Sequence, residues 1–282
     1  DRYHCVMTQR NTVLGTLNLL FAMRKHAPDA HLVKLGTMGE YGTPNIDIEE
    51  GRMNIFHKDR RDLLPVPKQP GSFYHASKVH DSVNIELACR IWDMRATDIN
   101  QGIVYGIQTE ETKRSIRLCT RFDYDGVFGT VLNRFLAQAL AHLPLTIYGN
   151  GGQTRGFLNL RDVVRCVELA LLHPPHPGQF RVFNQFTEQF SIRELARLVV
   201  GVAAQRGIQI KVEHIPTPRI EAEARYYHAV PPTLLDLGLR PHLLTADVLY
   251  DMLLELEPYR GMINKASIIP RIAWAEKVAI HA

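Results

Sequence analysis

Cysteine is scarce in this chain: Cys5, Cys89, Cys119 and Cys166 are the only four in 282 residues. No two of them form a Cys-x-x-Cys pair, which argues against a zinc ribbon or a disulfide framework and makes a reducing compartment the default. The 13 histidines include no His-x-x-x-His spacing, so no metal site is expected. Long apolar runs are also missing. The best candidates are interrupted by Asn18, Arg24 and Arg197, short of the roughly eighteen residues a membrane helix needs, and no signal-peptide pattern is visible. The net charge of +4 comes from scattered arginine, with no block of like charge and no interleaved aromatics. Nucleic acid and membrane are therefore not expected as partners, and small anionic ligands suit the charge balance better. There is no internal repeat and no low-complexity tract.

What is present is a chain with 45% hydrophobic residues, enough for a sizeable core. Val13, Leu14, Leu17, Leu20 and Phe21 give residues 12–26 an apolar helical face, and Leu32-Val33-Lys34-Leu35 reads as a buried strand over 31–36. A second helix begins at Tyr74, with Val79, Val83, Ile85, Leu87, Ala88 and Ile91 as its apolar positions; Met94–Asn100 then leads towards a strand at Val104-Tyr105. This alternation predicts an α/β fold with a Rossmann-like, doubly wound parallel sheet. The roughly thirty residues between Gly42 and Tyr74 are too many for an ordinary connection and read as a lid or binding loop. Beyond an irregular stretch over 108–129, the pattern predicts helices at 131–142, 161–172, 191–206 and 245–256 and strands at 145–148 and 208–215. Gly149-Asn150-Gly151-Gly152 reads as a hairpin turn. The expected division is a sheet domain over 1–107 and a smaller α+β lobe over 108–282, with 161–184 packing back on the sheet.

The chemistry concentrates in Tyr74-His75-Ala76-Ser77-Lys78. A phenol four residues before an amine shares its helix face, where the ammonium can lower the phenol's pKa. Such a pair can take the proton of a hydroxyl whose carbon loses hydride. Thr37 follows the buried strand, at the carboxyl edge where open α/β sheets place their sites.

These residues resemble the extended short-chain dehydrogenase/reductase superfamily, which acts on nucleotide-diphosphate sugars. Asn11-Thr12-Val13-Leu14-Gly15-Thr16, Thr37 with Tyr41-Gly42, Asn100, and Gly149–Phe157 with Arg161-Asp162-Val163 carry the resemblance over nearly the whole chain. Within it, Lys34–Gly51, Phe73–Ser82, Asp123–Thr130 and Val182–Ser191 are similar to the UDP-sulfoquinovose synthase family. That resemblance implies assembly of UDP-sulfoquinovose, a sulfolipid head-group donor, from UDP-glucose and sulfite with tightly held NAD. It also implies a homodimer and leaves room for a sulfite-delivering partner protein. The superfamily's opening βαβ unit, with its glycine-rich strand-to-helix turn and acidic residue for the ribose, has no counterpart here. The chain thus reads as lacking the first third of such an enzyme, and is expected to bind NAD poorly alone. Localisation is read as bacterial-type cytoplasm, or chloroplast if a transit peptide lies upstream.

The same resemblance assigns roles. Tyr74 is the base towards the glucose 4-hydroxyl, Lys78 holds the phenolate and the nicotinamide ribose, and Thr37 hydrogen-bonds the hydroxyl. Related dehydratases follow the Thr with an Asp-Glu pair for proton transfer at C5 and C6; here those places are Met38 and Gly39, leaving Glu40 and His75 as candidates. Asn11 and Gln101 are assigned to the cofactor, and Asn100, Asn133, Gln153, Arg155 and Arg219 to the substrate, with the arginine forks suited to its diphosphate. Asn184 is a weaker choice. The competing readings are another sugar-nucleotide epimerase or dehydratase, a non-catalytic binding fragment of this fold, and a nucleic-acid binder supported only by the positive charge.

Overall fold

A computed structural model describes residues 2–216, 228 and 233–268. Helix α1 (Arg2–Gln9) runs through a π-turn (Arg10–Leu14) into α2 (Gly15–His26), followed by β1 (His31–Thr37), the strands β2 (Arg52–His57) and β3 (Arg60–Pro65), and α3 (Phe73–Trp92). Next come β4 (Arg95–Gln101), β5 (Ile103–Tyr105), α4 (Val131–Leu140), β6 (Leu145–Tyr148), β7 (Thr154–Asn159) and α5 (Leu160–Leu172). The described chain closes with β8 (Phe180–Gln185), β9 (Glu188–Ser191), α6 (Ile192–Gln205), β10 (Val212–Ile215) and α7 (Ala246–Leu256). Two units result: residues 1–102, 162–187 and 225–241 form one, and 103–161, 188–224 and 242–282 the other.

The first unit is built on a parallel sheet of order β1-β4-β8, in register from His31↔Arg95 to Thr37↔Gln101 and from Ala96↔Phe180 to Gln101↔Gln185. Both faces are covered, as parallel sheets require. Ile99 and Phe183 pack with Cys166, Leu169 and Ala170 of α5; Ala96 packs with Leu20 of α2 and Ile85, Ala88 and Cys89 of α3. The Rossmann-like reading of the sequence holds. The stretch expected to be an irregular loop before α3 contains an antiparallel pair, Arg52↔Pro65 to His57↔Arg60. Lys58, at φ 52°, turns it; the Lys58-Asp59 link lacks the Asn-Gly signature that reveals such turns in sequence. Val66, beyond β3, is buried with Tyr41, Ile48 and Phe186.

In the second unit β7 lies between β5, parallel, and β9, antiparallel. Its core joins Leu132, Phe135 and Leu136 of α4 to Leu195 and Val199 of α6 and Leu249 and Leu253 of α7. Ser191 and Glu194 close a capping box at the start of α6, which stabilises the helix by satisfying two of its orphan amides. The hairpin expected at Gly149–Gly152 is not formed. A turn exists, with the Gly152 amide donating to Asn150 Oδ1 at 2.7 Å and Gly149 and Gly151 at φ 61° and 74°. However, β6 pairs in parallel with β10. Arg193 holds the turn instead, its amide donating to Gly151 O at 3.0 Å and its guanidinium to Asn150 O at 2.6 Å.

Candidate active site

Strand β1 delivers Thr37 to the carboxyl edge of the sheet, where its Oγ1 accepts from the Gly39 amide at 3.2 Å and caps a single 3-10 turn, Met38–Glu40. Helix α3 begins with Ser72 as its cap, Oγ accepting from the His75 amide at 3.1 Å. This puts Tyr74 in the first turn and Lys78 one turn later. Lys78 Nζ donates to Leu35 O, next to the β1 terminus, at 3.2 Å and lies 5.9 Å from the centre of the Tyr74 ring. The His75 ring is 5.5 Å from the Tyr74 ring. Its Nε2 lies 2.4 Å from where a Cβ on Gly39 would stand: the imidazole fills the space of a position-39 side chain. Thr37, Tyr74, His75 and Lys78 are thus gathered at one strand end.

Tyr74 is 50% exposed as a residue, while its hydroxyl end is the more buried part, as its acidity shows. Its acidity departs from the expectation of a phenol whose pKa the ammonium lowers. Burial pushes the pKa above the ordinary value, the Glu40 carboxylate adds to the rise, and Lys34 only partly offsets it. Lys78 is turned towards a backbone carbonyl instead.

Two further assignments change. Glu40 is 0% exposed, with Oε1 taken by Lys34 Nζ at 3.0 Å and Oε2 by Lys68 Nζ at 2.5 Å; it is an ion-paired buried carboxylate, not one open to a sugar. Asn100 is also fully buried. Its Nδ2 donates to Tyr41 Oη at 2.9 Å, and its Oδ1 lies 2.4 Å from a Cβ position on Gly36. It therefore sits beneath the strand end, its Oδ1 without a hydrogen-bond partner among the described residues. Asn184 is buried as well, its amide donating to Glu50 Oε1 at 2.7 Å.

Of the cofactor assignments, Gln101 pairs in register with Thr37. Asn11 is exposed within the π-turn, a feature that recurs at functional sites. Next to it is a residue the sequence did not single out: Gln9 Nε2 donates to Phe73 O at 2.9 Å, and its Oε1 is 3.3 Å from His80 Nδ1. Tyr74 and Lys78 offer a hydroxyl and an ammonium, donors that fit a nicotinamide ribose. Gly36, Gly39 and Gly42 have the Gly-x-x-Gly-x-x-Gly spacing but open a 3-10 turn rather than a helix. Cβ positions at the last two meet His75 and Gln69 O, so this turn is no pyrophosphate cradle.

In the second unit, Asn133 Nδ2 donates to Asp123 O at 3.0 Å and Gln153 Nε2 to Tyr148 O at 3.3 Å. Among the described residues Asn133 Oδ1 and Gln153 Oε1 are buried without a hydrogen-bond partner, which suits a polar ligand. Arg155, half-buried on β7, donates from Nη1 to Thr154 O at 2.9 Å. Arg219 lies outside the described residues.

The chain thus combines a parallel α/β sheet with Thr37 at its carboxyl edge and Tyr74 and Lys78 on the adjoining helix. The chain belongs to the NAD dependent epimerase/dehydratase family, which matches residues 6–184. It is 55% identical over 274 residues to UDP-sulfoquinovose synthase, chloroplastic, of Spinacia oleracea, covering 97% of this chain and 57% of that protein. It is 39% identical to UDP-sulfoquinovose synthase of Sulfolobus acidocaldarius, covering 97% of this chain and 70% of that one. The chain therefore spans little more than half the length of its spinach relative. Among solved structures, UDP-glucose 4-epimerase of Thermotoga maritima with UDP-glucose has the same fold, with TM-score 0.68 at 18% identity over 92% of this chain and 72% of that one. UDP-glucuronic acid 4-epimerase of Bacillus cereus, solved with UDP-glucuronic acid and NAD, gives 0.65 at 20% identity over 88% and 68%.

Proposed function

We propose that this chain is the catalytic and sugar-binding part of an enzyme that makes UDP-sulfoquinovose from UDP-glucose and sulfite. The observation that carries the reading is the gathering of Thr37, Tyr74, His75 and Lys78 at one strand end, with His75 seated over a glycine. The 55% identity to the spinach UDP-sulfoquinovose synthase supports the choice of product. Tyr74 takes the proton of the C4 hydroxyl, which Thr37 Oγ1 orients; Lys34 partly offsets the penalty on the phenolate, and Lys78 lies against the Tyr74 ring at 5.9 Å from its centre. NAD, when bound, supplies the hydride acceptor and donor for C4. The C4 ketone acidifies the C5 proton; His75 removes it and protonates the departing C6 hydroxyl, so that water leaves. Sulfite adds through sulfur to C6 of the resulting ene, C5 regains a proton, and C4 returns to a carbinol. The balance is UDP-glucose and hydrogen sulfite in, UDP-sulfoquinovose and water out.

Asn133, Gln153, Arg155 and Arg219 are assigned to UDP-glucose, and Asn11 and Gln101 with Tyr74 and Lys78 to NAD. Val83, Leu87 and Ile91, spaced by one helical turn and exposed on α3, support a second copy of the chain as partner. Whether a separate protein hands over the sulfite is tested by asking if free sulfite saturates the rate. For location, a chloroplast setting like that in the spinach relative's name stands beside a bacterial cytoplasm; no helix among the described residues is long and apolar enough to cross a membrane. The deciding experiment incubates the intact protein with UDP-glucose and sulfite and follows nucleotide sugars by mass spectrometry. A sulfonated UDP-hexose supports the reading, whereas UDP-galactose or unchanged UDP-glucose overturns it.

A further inference from the structure

Beneath the strand end lies a buried cluster of four charges that the proposed reaction does not use. Lys34, at the middle of β1 and 8% exposed, places Nζ 2.9 Å from Asp98 Oδ2, 3.0 Å from Glu40 Oε1 and 2.7 Å from Ser82 Oγ. The same ammonium donates to the carbonyl oxygen of Lys78 at 3.0 Å. Ser82 Oγ bridges to Glu40 Oε2 at 3.0 Å and Asp98 Oδ2 at 2.7 Å, and Lys68, from the segment after β3, reaches Glu40 Oε2 and Ser82 Oγ at 2.5 and 3.2 Å. Two ammoniums and two carboxylates thus lie between β1, β4 and α3, tied to the backbone of the residue that steadies the phenol.

The geometry points to this cluster as a positioning device for the catalytic phenol. Lys34 pins the first turns of α3 to β1 through the Lys78 carbonyl, and Glu40, in the 3-10 turn capped by Thr37, holds the Lys34 ammonium in place. This rests on the reading of Tyr74 as the proton acceptor. The titratable groups near Tyr74 are Lys78 and His75 of its own helix and, from the elements packed against it, Lys34 of β1 and Glu40 of the 3-10 turn; these two connect to Asp98 of β4, to Lys68 of the segment before α3 and to Asp81 of α3. Burial by itself would push Glu40 up, yet Lys34 and Lys68 outweigh it and hold this carboxyl below the ordinary range. Likewise Asp98 and Glu40 overcome burial and keep Lys34 raised. Glu40 and Lys34 are therefore both charged at neutral pH, and they act on Tyr74 in opposite senses.

That opposition gives the test. Tyr74 is titrated in the intact protein by ¹³C-tyrosine NMR, with its resonance assigned from Tyr74→Phe. Glu40→Gln keeps the shape and hydrogen bonding of the residue, and it should move the Tyr74 titration to lower pH by roughly half a unit to one unit. Lys34→Met should move it to higher pH by a similar amount. Purely structural damage would shift both variants the same way, or shift neither while lowering their melting temperatures; either pattern overturns the proposal. If Lys34→Met fails to fold, Glu40→Gln decides alone: an unmoved or raised titration refutes the role of Glu40. The readout needs no turnover. A protein inert towards UDP-glucose could still show the opposed shifts, and an active one with a fixed Tyr74 titration would lose only the role of the cluster.

Discussion

Gly39→Ala is the substitution that acts most directly on His75. An added Cβ would stand 2.4 Å from His75 Nε2 and 2.7 Å from Cδ2 and Cε1, against an ordinary contact of 3.4–4 Å, so the imidazole must retreat by about 1 Å or more. The Ser72 cap fixes the His75 backbone, so the contact is relieved by turning the ring away from Gly39 rather than by moving the helix. Overpacking of this kind costs about 1–3 kcal/mol, which for a unit of this size lowers the melting temperature by roughly 2–4 °C per kcal/mol. Displacing a proton-transfer group by about 1 Å costs on the order of a hundredfold in rate. The assay is sulfite-dependent product formation beside a thermal melt, with Gly71→Ala as control, since nothing lies within 4 Å of a Cβ there. A large loss of rate with a modest loss of stability is expected for Gly39→Ala, and neither for Gly71→Ala. Parent-like rate and melting in Gly39→Ala would refute the placement of His75 as the proton carrier at C5 and C6.

Tyr74→Phe should abolish product while leaving UDP-glucose affinity within a few-fold of the parent by calorimetry, because the hydroxyl is needed for proton removal rather than for holding the nucleotide. Arg155→Ala should weaken UDP-glucose far more than NAD in paired titrations; equal loss of both would indicate misfolding. Ser191→Ala removes the side-chain half of the α6 capping box and should cost about 1 kcal/mol of stability, read from denaturant melts, with catalysis unaffected. Glu40 has a folded pKa held below its ordinary value of 4.5, so the unfolded chain binds more protons there and stability is lost as pH falls below that value. Glu40→Gln should flatten that part of the acid-melting curve, and an unchanged acid limb would contradict the ion pairing.

The parts of the site legible in sequence were those carried by local pattern. Thr37 at a strand end and the four-residue step from Tyr74 to Lys78 need only the geometry of one strand and one helix. What stayed hidden depends on register between distant segments. Nothing local pairs Lys34 with Asp98, 64 residues away, although a lysine inside an otherwise apolar strand was itself a signal that a buried partner had to exist. Asn100 was assigned to the substrate by family resemblance, and side-chain alternation turns it to the face of Gly36 and Tyr41. The Gly149–Gly152 turn was recognised, but which strands flank a turn does not decide which strands pair: β6 found β10 instead. The β2–β3 pair escaped notice because β3 is charged and exposed throughout and the alternation in β2 spans only Arg52-Met53-Asn54-Ile55 before it breaks at Phe56.

The most direct measurement runs the reaction with UDP-glucose and sulfite in D2O and locates deuterium in the product by NMR. Transient oxidation at C4 by the Thr37–Tyr74–Lys78 site requires one deuteron at C5 and none at C4. A sulfonated product with no deuterium at C5, or with deuterium at C4, would contradict the account.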